Sequence, residues 1–160
     1  MTRRYARTLR GERAYGYVPR NYGTRTTLIA ALSPDGMGAA MTLAGAVDRA
    51  AFEAYVEQCL VPELQVGQIV LMDNLSSHKG PAIEAAIEGA GCRLLYLPPY
   101  SPDYSPIEQA LSKIKALLRK CAARTQEALD EAIAAALEKV TAADARGWFA
   151  HCGYELSVAT

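Results

Sequence analysis

Three rhythms of apolar spacing divide this chain. From Thr26 to Leu32 a short β-forming run precedes Ser33-Pro34-Asp35-Gly36, where proline presets the second turn position and glycine closes it. Met37 to Val47 returns as a second strand, so the pair predicts a β-hairpin. The rhythm then becomes helical. Asp48 is placed to cap a helix whose Phe52, Tyr55, Val56, Cys59 and Leu60 share one face, and Pro62 ends or kinks it. Gln68 to Met72 is a continuous apolar run without alternation, as expected of a parallel strand buried on both faces. Ser77 is placed to cap a helix reaching Gly89 with Gly91 as its stop, and Cys92 to Leu97 is the next buried strand. Strand, helix and strand joined by short loops predict a right-handed parallel crossover.

After Leu97 the prolines dominate. Pro98, Pro99, Pro102 and Pro106 stiffen a turn, each fixing its own φ and restricting its predecessor. The turn delivers a helix with the stripe Ile107, Ala110, Leu111, Ile114, Leu117, Leu118 and Cys121. A last helix is expected over 126–143, with Leu129, Ile133, Leu137 and Val140 on one face, and Trp148 and Phe149 pin the C-terminal segment. Residues 1–12 carry no period, and Tyr15 to Val18 reads as a short extended piece. Without repeats, low-complexity tracts or a linker, the chain reads as one domain over 1–160.

Composition changes this picture little. Half the residues are hydrophobic and a fifth charged, ordinary for a globular chain. No apolar run is long enough for a membrane span, and no apolar region follows the basic start, so no signal peptide is expected. Cys59, Cys92, Cys121 and Cys152 form no CxxC pair and read as reduced, mostly buried thiols, which fits a cytoplasmic protein. Charge changes the picture more. Net charge is zero, yet Arg3, Arg4, Arg7, Arg10, Arg13, Arg20 and Arg25 face only Glu12 within residues 1–25. Such a segment suits phosphate backbones, or is a solvated basic tail.

Two carboxylates are the candidate chemistry. Asp73 follows an apolar strand at its C-terminal end, the edge where open α/β sheets place ligands; from its position alone the better reading is an Asp that starts a turn or caps the next helix. Glu108 opens the helix after the proline turn. Ser105-Pro106-Ile107-Glu108 also fits a capping box, which would explain Glu108 without any chemistry. Ser112, Lys115 and Arg119 lie near the Glu108 face, and basic groups there suit a phosphodiester or form an ordinary solvated face. His78 and Lys79, just after Asp73, are placed to meet a phosphate; His78 is as readily a structural histidine bonded to the sheet edge. With His78 and His151 the only histidines, oxygen ligands point to magnesium or manganese rather than zinc.

Asp73-Asn74, His78-Lys79, then Leu97-Pro98-Pro99-Tyr100-Ser101-Pro102-Asp103 and Pro106-Ile107-Glu108 together resemble the second half of a DDE transposase catalytic domain. The resembling branch is the mariner-like bacterial insertion-sequence transposases, in which thirty-four residues separate the second Asp from the Glu, as they do here. The resemblance covers at least residues 25–120; Ser105 and Leu111 depart from the usual Asn and Trp. It implies a ribonuclease H-like α/β fold, a mixed sheet flanked by helices, and two Mg2+ or Mn2+ ions acting in DNA cleavage and strand transfer. It makes Asp73 and Glu108 catalytic metal ligands. It implies DNA as partner, transposon ends and target, through Arg3, Arg4, Arg7, Arg10, Arg13, His78, Lys79, Lys115 and Arg119, and a second copy or a full-length transposase as further partner.

The family's first ligand is an Asp on a central strand ahead of the hairpin, a place that falls before Met1. Asp35, in the hairpin turn, and Asp48, at a helix start, are not placed to substitute. The expectation is therefore an N-terminally truncated catalytic domain lacking its first central strand, with exposed apolar sheet edges and little activity alone. The competing readings are a non-catalytic DNA-binding or oligomerising transposase remnant, and a small-molecule phosphohydrolase that leaves the arginines and the proline turn unexplained.

Overall fold

The computed structural model describes residues 7–15 and 25–156. The expected extended piece over Gly16–Val18 lies outside the described residues. Strands β1 (Thr26–Ser33) and β2 (Gly36–Ala44) form the antiparallel hairpin that the turn residues predict. The register shifts between Ile29 and Ala31, where Ala39 and Ala40 of β2 oppose Ala30 alone. Ala39 takes a positive φ of 37° there, and its freed N–H donates to Glu63 Oε2 at 2.8 Å. A Cβ on Gly38 would stand 2.6 Å from that same oxygen, so the carboxylate could not stay on Ala39. The extra residue shifts the alternation of β2 alone, so Met37 before the bulge and Met41 after it lie on opposite faces.

Alternation along the strands gives the hairpin two apolar faces, and each packs on a core. Ile29, Ala31, Ala39 and Met41 face a cluster built on Phe52, Tyr55, Val56, Leu60, Met72, Ile83, Ile87 and Cys92. Leu28, Leu32 and Met37 face a second cluster of Ile114, Leu118, Ile133, Ala136 and Val140, with Trp148 packed against it. Val56, Ile83, Ile87 and Ile114 are fully enclosed. Each such side chain contributes roughly 1.5–3 kcal/mol relative to exposure.

Helix α1 (Arg49–Tyr55) starts as expected, with Asp48 Oδ1 accepting the Ala51 N–H at 2.8 Å. It loosens into a π turn (Val56–Leu60) and tightens into a 3-10 turn (Val61–Glu63) at Pro62. Proline has no N–H to offer and crowds the carbonyl four residues back, so the regular ladder cannot continue. Strands β3 (Ile69–Met72) and β4 (Arg93–Tyr96) are parallel neighbours, joined through α2 (Pro81–Gly89). Helix α2 begins later than expected: Ser76–His78 is a separate 3-10 turn, Ser77 caps nothing, and Pro81 opens the helix behind Gly80.

Burial of the parallel pair also differs from expectation. Val70, Met72, Leu94 and Tyr96 pack on the first cluster, whereas Ile69 is 52% and Leu95 41% exposed. Among the described residues the pair is a two-stranded ladder covered on one face, so the unbroken apolar run did not mean burial on both.

Helix α3 (Pro106–Cys121) buries Pro106, Ala110, Ile114 and Leu118. It stops at Ala122, whose left-handed backbone returns an N–H to Leu118. Cys121, expected inside, is exposed. The single helix expected over 126–143 is two, α4 (Gln126–Glu138) and α5 (Ala142–His151). Thr141 breaks it: its hydroxyl accepts the Asp144 N–H, and Asp144 Oδ2 accepts the Thr141 N–H at 2.9 Å. That reciprocal capping box starts a new helix in mid-pattern. No helix of the described residues is long and apolar enough to cross a membrane.

Candidate functional site

Asp73 leaves the C-terminal end of β3 with its side chain half exposed. Its Oδ1 accepts the Leu75 N–H at 3.3 Å, so the turn reading holds in part. The same oxygen lies 2.5 Å from His78 Nδ1. The His78 ring stacks on buried Phe52, centroids 4.0 Å apart and planes 19° off parallel. The His78 carbonyl accepts the Tyr96 hydroxyl at 3.1 Å, and Arg49 Nη2 donates to the Ser76 carbonyl at 3.2 Å. Burial, then Glu84, pushes the Tyr96 phenol up, so it stays a protonated donor. Lys79 Nζ stands 5.6 Å over the Tyr96 ring. The sequence reading missed Phe52, Tyr96 and Arg49 as supports of this loop, since each also satisfied an ordinary core or surface pattern. Asn74 Oδ1 is buried beside Asp73 without a hydrogen-bond partner among the described residues.

Glu108 sits in the first turn of α3 and is exposed. The capping box that would have explained it is not formed: the Ser105 side chain makes no cap bond, and the Glu108 N–H goes to the Ser105 carbonyl at 3.1 Å. Proline at N1 presets the helix start without a side-chain cap. The Glu108 carboxylate takes no hydrogen bond from the described residues and lines an open depression of about 390 Å³ with Pro102, Asp103, Gln109, Ser112 and His151. His151, at the end of α5, was noted in the sequence only as one of two histidines and given no role in the site. Tyr154 Oη donates to the Tyr104 carbonyl at 2.6 Å, tying the C-terminal segment to the proline turn. Burial, then Cys152 and Tyr104, raises the Tyr154 phenol.

The cations are dispersed. Arg7, Arg10 and Arg13, and Lys79, Lys115 and Arg119, are exposed, while Arg3 and Arg4 lie outside the described residues. Asp48 is occupied as a cap, and Asp35 pairs with Arg146 at 3.0 Å. No group of three or more His, Cys, Asp or Glu among the described residues is gathered to hold a metal ion. The oxygen donors of Asp73 and Glu108 nonetheless have the hardness that magnesium and manganese require.

A hairpin and a parallel β-α-β unit, followed by helices, define a ribonuclease H-like mixed α/β fold. The structure is similar to the Mos1 strand transfer complex, with a TM-score of 0.69 and 19% identity over 98% of this chain and 51% of that one. It is similar to the Mos1 mariner paired-end complex with Mn, at 0.65 and 18% over 95% and 47%. It is also similar to the Mos1 transposase paired-end complex with the left transposon end, at 0.62 and 19% over 95% and 47%. This chain thus spans about half the length of the chains it matches. A comparison with curated proteins gave no match. Residues 1–130 match the model of the DDE superfamily endonuclease family, and the chain belongs to that family.

Proposed function

We propose that residues 1–160 form a DNA transposase catalytic domain in which Asp73 and Glu108 are two of the carboxylates that hold divalent ions, magnesium or manganese. The observation that carries this reading is the uncapped Glu108, rigidly set behind the proline turn with its carboxylate free of bonds from the described residues. A first-turn carboxylate also suits the helix dipole, and one left free of bonds is available to a cation. When bound, the ions would supply activation of the attacking oxygen and stabilisation of the leaving one in phosphodiester cleavage and strand transfer. The chain's own residues do the rest. Asp73 and Glu108 hold the reacting centre, and the exposed Lys79, Lys115 and Arg119 meet the phosphate backbone. Arg3, Arg4, Arg7, Arg10 and Arg13 extend the contact along the duplex.

Two carboxylates hold ions less firmly than three. With no three-acid cluster gathered among the described residues, we expect residues 1–160 to bind manganese weakly and to nick DNA slowly. Manganese titration by calorimetry, and nicking of supercoiled plasmid, test this. Asp73→Asn and Glu108→Gln should each weaken manganese binding about tenfold or more, at least the cost of losing an outer-shell partner. Unchanged affinity in both variants would sink the reading. The absence of a three-acid cluster among the described residues favours a second reading, a non-catalytic DNA-binding or oligomerising regulator. Duplex binding with no manganese-dependent nicking under any condition supports it.

A further inference from the structure

We infer that His78 is a positioning residue: its imidazole holds the Asp73 carboxylate in one orientation, and contact with DNA is not its task. The inference rests on the reading of Asp73 as a metal ligand. An aspartate at a strand end turns freely about two side-chain bonds, and ordering it before the ion arrives removes that freedom from the binding step. Here one oxygen is fixed and the other left open. Oδ1 accepts from Leu75 N–H and His78 Nδ1, whereas Oδ2 takes no hydrogen bond from the described residues.

An ionised carboxylate only accepts, so Nδ1 is the protonated ring nitrogen and donates. The donor is itself held. Its ring lies flat on Phe52, which is 5% exposed in the first core, and its carbonyl takes the Tyr96 hydroxyl. Tyr96 stands opposite Met72 in the parallel register, one residue before Asp73. The strand pair that presents the carboxylate therefore also grips the residue that aims it. A histidine serving DNA phosphate would need its ring projecting outward, yet His78's side chain is only 21% exposed and spends one nitrogen on Asp73.

The test separates the bond from the stack. His78→Phe keeps an aromatic ring on Phe52 and removes the donor; His78→Asn loses the ring and keeps an N–H near the place of Nδ1. Manganese affinity is measured without DNA, where a phosphate-contact role would leave no trace, alongside the melting temperature and metal-free duplex affinity. We expect His78→Phe to melt near the parent and bind manganese about tenfold more weakly, the usual cost of an outer-shell partner. His78→Asn should recover most of that loss, and duplex affinity should change in neither. If His78→Phe binds manganese like the parent while Asp73→Asn is weakened, His78 has no positioning role and the metal reading survives. A folded His78→Asn as weak as His78→Phe also overturns the inference. If Asp73→Asn itself leaves manganese affinity unchanged, Asp73 is no metal ligand and this inference falls with that assignment.

Discussion

Lys113 and Asp144 show how much a single pair can do outside the site. Lys113 Nζ donates to Asp144 Oδ2 at 2.6 Å, and the same oxygen takes the Thr141 N–H and hydroxyl. These bonds, the one from Lys113 foremost, lower the Asp144 carboxyl from 3.8 to about 2. Between those values the unfolded chain binds the proton that the folded chain refuses, so stability rises with pH across the window and is constant above it. Acid should therefore remove this contribution as pH falls from about 4 toward 2. Asp144→Asn should flatten the melting-temperature profile over that range, and a profile as steep as the parent's would refute the assignment. Neither partner was legible beforehand. Lys113 and Asp144 are thirty-one positions apart, and nothing in local spacing joins them. The places of Asp73 and Glu108 in the fold were legible because each lies at the end or the beginning of an element. The grip of His78 on Asp73 was not, since hydropathy says nothing of where an imidazole turns.

Helix starts in this chain obey two different rules. At Ser105 the sequence carries the capping-box signature, yet its side chain makes no cap bond; at Thr141 the box is complete. Pro106 explains the difference, because its fixed φ and absent N–H settle the start of α3 without help. Thr141→Ala should accordingly cost about 1 kcal/mol of stability. Ser105→Ala should stay within about 0.5 kcal/mol. Denaturant unfolding of both variants checks this, and equal losses would contradict it. The hairpin and the parallel crossover were legible because turn chemistry and strand–helix alternation are local signals. The division of α4 from α5 was hidden because Leu129, Ile133, Leu137 and Val140 keep helical spacing straight across it. The uncovered face of β3 and β4 was hidden for another reason: an apolar run states what a strand is made of, not what lies over it.

Across the whole molecule, zero net charge conceals a basic N-terminal segment against an acidic remainder. If DNA is the partner, duplex affinity should fall with salt in proportion to the phosphates met, at a slope near −0.9 each. Replacing Arg7, Arg10 and Arg13 together with Gln should lower that slope by about 2 to 3, as read from binding titrations over a range of salt. An unaltered slope would assign these arginines to a solvated tail.

The bulge at Ala39 reaches furthest. Because the hairpin that it kinks is a wall with a core on either side, the elements carrying Asp73 and Glu108 pack on different cores. Asp73 follows Met72 and is gripped through Phe52 in one; Glu108 rides the helix of Ile114 and Leu118 in the other. The hairpin thus acts as a spacer between those two elements, and the Ala39 N–H bond to Glu63 keeps its kink in place.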